Sequence, residues 1–91
     1  MQSNEQSRDS AKHIEVSVRT PMGTWPTEGF FEVPVDQKVA LQLQHVVSSL
    51  HIEDARGWVA IVNGRELEPA SSYRKNHLSE RVSIYYGPRT E

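Results

Sequence analysis

Cysteine is missing from this 91-residue chain, and its absence excludes a disulfide framework, a thiolate nucleophile and a cysteine-based zinc site. Long apolar runs are missing too. No stretch approaches the roughly 20 residues that cross a bilayer, and Met1 is not followed by the basic, apolar and small-residue succession of a secretory signal. We therefore expect a cytoplasmic protein without membrane contact. An excess of positive charge is likewise lacking: 10 Lys+Arg stand against 12 Asp+Glu, for a formal net charge of −2. Such a field weakly repels a phosphate backbone, so nucleic acid is not expected as a partner. Among the four histidines, His13, His45, His51 and His77, no pair has the i, i+4 spacing of a helical metal site. Ser48, Ser49 and Asp54 supply hydrolase residue types, but no nucleophile elbow frames a serine. We expect neither catalysis nor a cofactor.

What the chain does have is a legible succession of patterns, of a length suited to one small domain. Met1 to Lys12 is polar and is read as a disordered tail. From His13 onward, Ile14, Val16 and Val18 alternate with Glu15, Ser17 and Arg19, the period of a strand with one wet face. An irregular stretch from Thr20 to Gly29 follows, and Phe31, Val33 and Val35 resume the alternation, so the two runs read as an antiparallel hairpin with a long loop. Pro34 lacks an amide hydrogen and belongs at a strand end or on an edge.

Asp36 has the chemistry of a helix N-cap. After it, Val39, Leu43, Val46, Val47 and Leu50 fall on one side at helical spacing, with Gln37, Lys38, Gln42, Gln44 and Ser48 facing away. Leu41 lies off this stripe, on a rim of the core or in a small exposed patch. The helix is expected to run on toward Arg56, with Gly57 as its left-handed exit. Trp58 to Val62 reads as a strand buried on both faces. Asn63-Gly64 supplies the two positive-φ residues of a type I′ turn, so Arg65 to Leu67 pairs back before Pro69 ends the ladder. Ala70 to Ser79 is a polar connector with one buried candidate, Leu78. Arg81 to Tyr86 is a last strand, with Val82, Ile84 and Tyr86 inward and Tyr85 outward.

This order predicts an α+β fold, a mixed four- to five-stranded sheet with one helix packed on one face. It is the order of the β-grasp, or ubiquitin-like, fold, in which the last strand inserts beside the first. The expected domain spans residues 13–87, with a short tail over residues 88–91.

Val59-Ala60-Ile61-Val62-Asn63-Gly64, then Pro69, Leu78 and Arg81-Val82-Ser83-Ile84, resemble the second half of the ThiS/MoaD group of β-grasp sulfur carriers. Arg81-Val82-Ser83-Ile84-Tyr85 with Pro88, and Ile14-Glu15-Val16 with Pro21, are also similar to the RnfH-type branch, whose members lack a diglycine end. In a sulfur carrier the terminal carboxylate is adenylated and converted to a thiocarboxylate, and two glycines let the bare backbone thread the activating enzyme. That pair would fall on Thr90-Glu91, where a β-branched side chain and a second carboxylate stand instead. Pro88 also stiffens the approach. The resemblance thus implies the fold without the chemistry. We expect a non-catalytic protein-binding or accessory module; the alternative is a ThiS/MoaD-like sulfur carrier activated at its C-terminal carboxylate.

A protein partner calls for exposed anchors. Trp25, beside Met22 in the hairpin loop, is either a cap on an open edge of the core or an interface anchor. Tyr85 presents the same choice on the last strand. Trp25, Met22, Tyr85 and Arg65 are the expected contact residues.

Overall fold

The structure, a computed structural model, describes residues 12–89. Its element order is β1 (His13–Thr20), β2 (Gly23–Trp25), β3 (Phe31–Pro34), α1 (Val39–Ser49), β4 (Trp58–Val62), β5 (Arg65–Glu66) and β6 (Arg81–Pro88). The strands form one mixed sheet in the order β2-β1-β6-β4-β5, with β3 also paired to β1. β6 lies parallel to β1 and antiparallel to β4, so the last strand occupies the centre of the sheet. This is the expected β-grasp arrangement, with α1 on one face. The tail expected over residues 1–12 falls, except for Lys12, outside the described residues, as do Thr90 and Glu91.

The core follows from the alternation. Ile14, Val16 and Val18 of β1, Val33 of β3, Ala60 and Val62 of β4, and Val82 and Ile84 of β6 all face α1, which contributes Val39, Leu43 and Val46. Asn63 (φ 52°) and Gly64 (φ 79°) take the paired positive φ values of the predicted hairpin turn. The Leu67 N–H then donates to the Ala60 carbonyl at 2.8 Å, which extends the short β4–β5 ladder by one rung.

Several expectations change. The loop after β1 is not irregular throughout: Gly23–Trp25 pairs with β1 as β2. Phe31 remains 46% exposed at the start of β3 and packs on Trp25 rather than entering the core. Pro34 does sit on an edge strand, with the Val35 N–H donating to the Lys12 carbonyl one residue on. β4 is not buried on both faces; Ala60 and Val62 are buried while Trp58, Val59 and Ile61 are partly exposed. Gly87 and Pro88 belong to β6, where Pro88 is in register with Trp58.

The helix ends also differ. Lys38 holds the N-cap position with no side-chain cap, while the Asp36 carboxylate accepts from the Arg74 guanidinium at 2.8 Å. The first amides of α1 are satisfied by backbone from the connector: Val39 N–H donates to Ser71 O at 3.0 Å and Ala40 N–H to Pro69 O at 2.9 Å. No carboxylate is needed where two carbonyls already fill that role. At the other end α1 stops at Ser49, well before Arg56. His51 takes the left-handed conformation (φ 56°), with Ile52 N–H donating to Val47 O and His51 N–H to Ser48 O. Those two bonds are the Schellman closure, so Gly57 serves a later turn. Gln42, expected outward, is buried and accepts from Gln37 Nε2 at 3.3 Å; Leu41 is 54% exposed.

The connector is more than a polar link. Tyr73 is fully buried, and Ser72 and Asn76 are buried beside Leu78. The segment wraps the N-terminus of α1 and returns hydrogen bonds from Tyr73 N–H to Gln37 O and from Arg74 N–H to Val35 O.

Candidate protein-docking surface

The face of the sheet opposite α1 is set by register. Because Val82 and Ile84 point to the helix, Arg81, Ser83, Tyr85 and Gly87 of β6 point the other way. Ile61 lies opposite Tyr85 and Val59 opposite Gly87 on β4, while Arg19 lies in register with Tyr85 on β1. Tyr85 is 41% exposed. Its ring lies along the strand over Gly87: a Cβ added at Gly87 would stand 2.6 Å from the Tyr85 hydroxyl and 2.8 Å from Cζ. Glycine at position 87 is therefore what leaves room for the ring to lie along the strand there.

Charge frames this strip. Arg81 Nη2 pairs with Glu15 Oε1 at 2.7 Å, and its guanidinium carbon stands 4.7 Å from the Phe30 ring centroid. Arg89 pairs with Glu66 at 2.9 Å. Arg19 is exposed and has no ion-pair partner among the described residues. The arrangement offers an apolar contact with one unspent cation beside it.

The other expected contact residues lie elsewhere. Trp25 is on the helix-facing side, partly buried against the core, with its ring centroid 5.0 Å from Phe31 and 5.1 Å from His45, edge-on to the latter. It packs over the rim of the core, in keeping with the first of its two predicted roles. Met22 is 61% exposed in the β1–β2 turn, whose shape is set by Thr20: the Met22 N–H donates to Thr20 Oγ1 at 3.0 Å, and that hydroxyl donates to Gly23 O at 2.9 Å. The Arg65 guanidinium donates to Asn76 O at 2.8 Å and braces the connector. Tyr85 alone of the four stands on the outer face. Ile61, Val59 and Arg19 escaped the sequence reading because five consecutive apolar residues conceal which side each faces, and register across three strands is needed to bring Arg19 to Tyr85.

Titration behaviour is set by local contacts. The Arg74 guanidinium holds the Asp36 carboxyl below its usual range, and Arg56 does the same for Asp54. Burial pushes the Tyr73 and Tyr86 phenols up. Among the described residues no three His, Asp or Glu side chains cluster to hold a metal ion, and no helix is long and apolar enough to cross a membrane.

No family model matches the chain, and no curated protein matches it. Solved structures do. The chain is similar to a de novo protein designed on the basis of ubiquitin, at 21% identity over 88% of this chain and 93% of that one, with a TM-score of 0.66. It is similar to the N-terminal ubiquitin-like domain of the 4931431F19Rik protein, at 20% identity over 89% and 79% of the two chains, TM-score 0.63. A chain in the crystal structure of a pParkin-pUb-UbcH7 complex matches at 15% identity over 87% of this chain and 23% of that chain, TM-score 0.63. What this chain shares with all three is the ubiquitin-like β-grasp fold.

Proposed function

We propose that this chain is a non-catalytic ubiquitin-like module that binds a protein partner through the outer face of its sheet, centred on Tyr85. The observation that carries this reading is the Tyr85 ring lying over Gly87, with the half-buried Ile61 and Val59 in register on β4 and Arg19, which has no ion-pair partner among the described residues, in register on β1. A tyrosine with two apolar neighbours supplies large contact area at small entropy cost, and such residues dominate binding energy where they are enriched. Arg19 favours a partner that sets a carboxylate beside its own apolar anchor. The occurrence of a similar chain in a complex of several proteins agrees with a binding role. The strand and turn from Val59 to Gly64 also keep the ThiS/MoaD-like affiliation within this proposal. The sulfur-carrier alternative turns on Thr90 and Glu91, outside the described residues, and no observation of the structure favours it.

The test is recovery of a partner with the full chain, followed by affinity measurement with Tyr85→Ala and Ile61→Asp. Each is expected to weaken binding by about tenfold or more while the far-ultraviolet dichroism stays native. Full binding by both variants would sink the reading. Trp25→Ala is expected to act differently, lowering stability by about 2 kcal/mol through uncovering the rim of the core that the indole packs against.

A further inference from the structure

A second surface lies on the helix side of the sheet. Two hollows meet at Trp58, which points to the α1 side because it is in register with Pro88, next to the Ala60–Tyr86 pair. One, of about 300 Å³, is formed by Leu43, Val47, Trp58, Pro69 and Tyr86 with Ala40 and Gln44, and has no charged residue in its wall. The other, of about 440 Å³, is formed by Met22, Ile52 and Trp58 with His51, Glu53 and Asp54. Trp58 is held in place between them, edge-on to Tyr86 at 5.3 Å. The β1–β2 turn that carries Met22 is backed by Leu50, whose Cδ2 lies 3.8 Å from where a Gly23 Cβ would stand.

The two ends differ in charge. Asp54 is spent on Arg56, which contacts it through Nε, Nη2 and its backbone N–H. Glu53 is exposed and unpaired among the described residues, and the last turn of α1, which precedes it in the chain, carries no basic residue to offset the negative end of the helix dipole. A groove that is neutral and apolar at one end and negative at the other, with an indole between, fits one kind of occupant. We propose that it binds a partner protein segment that seats a large apolar side chain against Val47, Trp58 and Tyr86 and lays an arginine or lysine over the Trp58–Met22 side toward Glu53. A guanidinium suits this end because its plane stacks on an indole while its donors reach a carboxylate. This site is separate from the outer-face strip and does not rest on it.

The probe is a phage-displayed library of random short peptides, selected against the full chain and against Glu53→Lys. Enriched peptides are expected to pair a large apolar residue with a nearby arginine or lysine. Titrated into isotopically labelled protein, they should shift the Trp58 indole N–H, the Met22 methyl and the Ile52 resonances. Glu53→Lys, at an exposed position that leaves the fold intact, is expected to weaken them about tenfold and to select acidic peptides instead. Met22→Ala should weaken them less. The proposal is overturned by selection of no peptide, by peptides without basic residues, by shifts centred on Tyr85 and Ile61, or by equal affinity for Glu53→Lys.

Discussion

At the scale of single residues, the connector is held by Asn76. Its Oδ1 accepts from Glu68 N–H at 2.8 Å, and its Nδ2 donates to Ser72 O at 2.8 Å and Glu68 O at 3.1 Å. Asn76→Ala leaves the Glu68 N–H without its acceptor, while Glu68 O and Ser72 O each keep a backbone donor, Ser71 N–H and residue 76's own N–H; a loss of about 1–3 kcal/mol is expected in urea unfolding. Tyr73 is the contrary case, since its buried hydroxyl has no hydrogen-bond partner among the described residues. Tyr73→Phe removes an unpaid desolvation and is expected to be neutral or stabilising by about 1 kcal/mol. The alkaline side gives a second readout. Burial raises the folded-state pKa of Tyr73, so above the unfolded value of about 10 the unfolded chain sheds a proton that the folded chain keeps. Stability is therefore fully present below that pH and falls above it, by up to about 1.4 kcal/mol per pH unit for one group. Tyr73→Phe should flatten this slope, leaving the smaller share due to Tyr86, whose pKa burial also raises. An unchanged slope in unfolding curves between pH 9 and about pH 11 would contradict this. Neither role was legible in the sequence. Ser-Ser-Tyr-Arg-Lys-Asn-His has no period, and Tyr73 and Asn76 turn inward because the backbone wraps the start of α1.

At the scale of elements, legibility follows how local the determining physics is. The β1 and β6 alternations and the Asn63-Gly64 turn are local, and all three were readable. The ends of α1 were not, because its N-terminal amides are filled by the carbonyls of Pro69 and Ser71, far along the chain. Its C-terminus closes on His51, a residue with no glycine signal. His51 has φ 56°, a conformation that a Cβ disfavours. His51→Gly is expected to stabilise the chain by about 0.5 kcal/mol, measured as a rise in the urea midpoint; a fall would show that the imidazole contributes more than its backbone costs. Gly87→Ala is a different test of an element. The nearest atoms to the added methyl are the far end of an exposed ring, so the sheet should lose less than about 1 kcal/mol while Tyr85 is re-aimed. Outer-face binding should fall nearly as far as in Tyr85→Ala, although no contact residue has been removed.

At the scale of the molecule, β6 determines what each face can be. Placed between β1 and β4, it sends Val82, Ile84 and Tyr86 to the helix side and Arg81, Ser83 and Tyr85 to the other. Tyr86 thus lines the groove while its neighbour Tyr85 lies on the outer strip. The two proposed surfaces are carried by adjacent residues yet separated by the thickness of the sheet. The predicted site residues Tyr85 and Met22 divide between them: Tyr85 faces outward, as the alternation along β6 predicts, while the β1–β2 turn carries Met22 to the groove. Effects of substitutions on opposite faces with no shared partner should add within about 0.5 kcal/mol. Tyr85→Ala is therefore expected to leave the affinity of a groove-selected peptide within about twofold of wild type. Glu53→Lys should likewise leave outer-face binding intact, and both ligands should bind at once in a sedimentation or calorimetric titration. Mutual exclusion would mean that one surface has been assigned twice, and the peptide-induced shifts at Trp58 against those at Ile61 would identify which face is the true one.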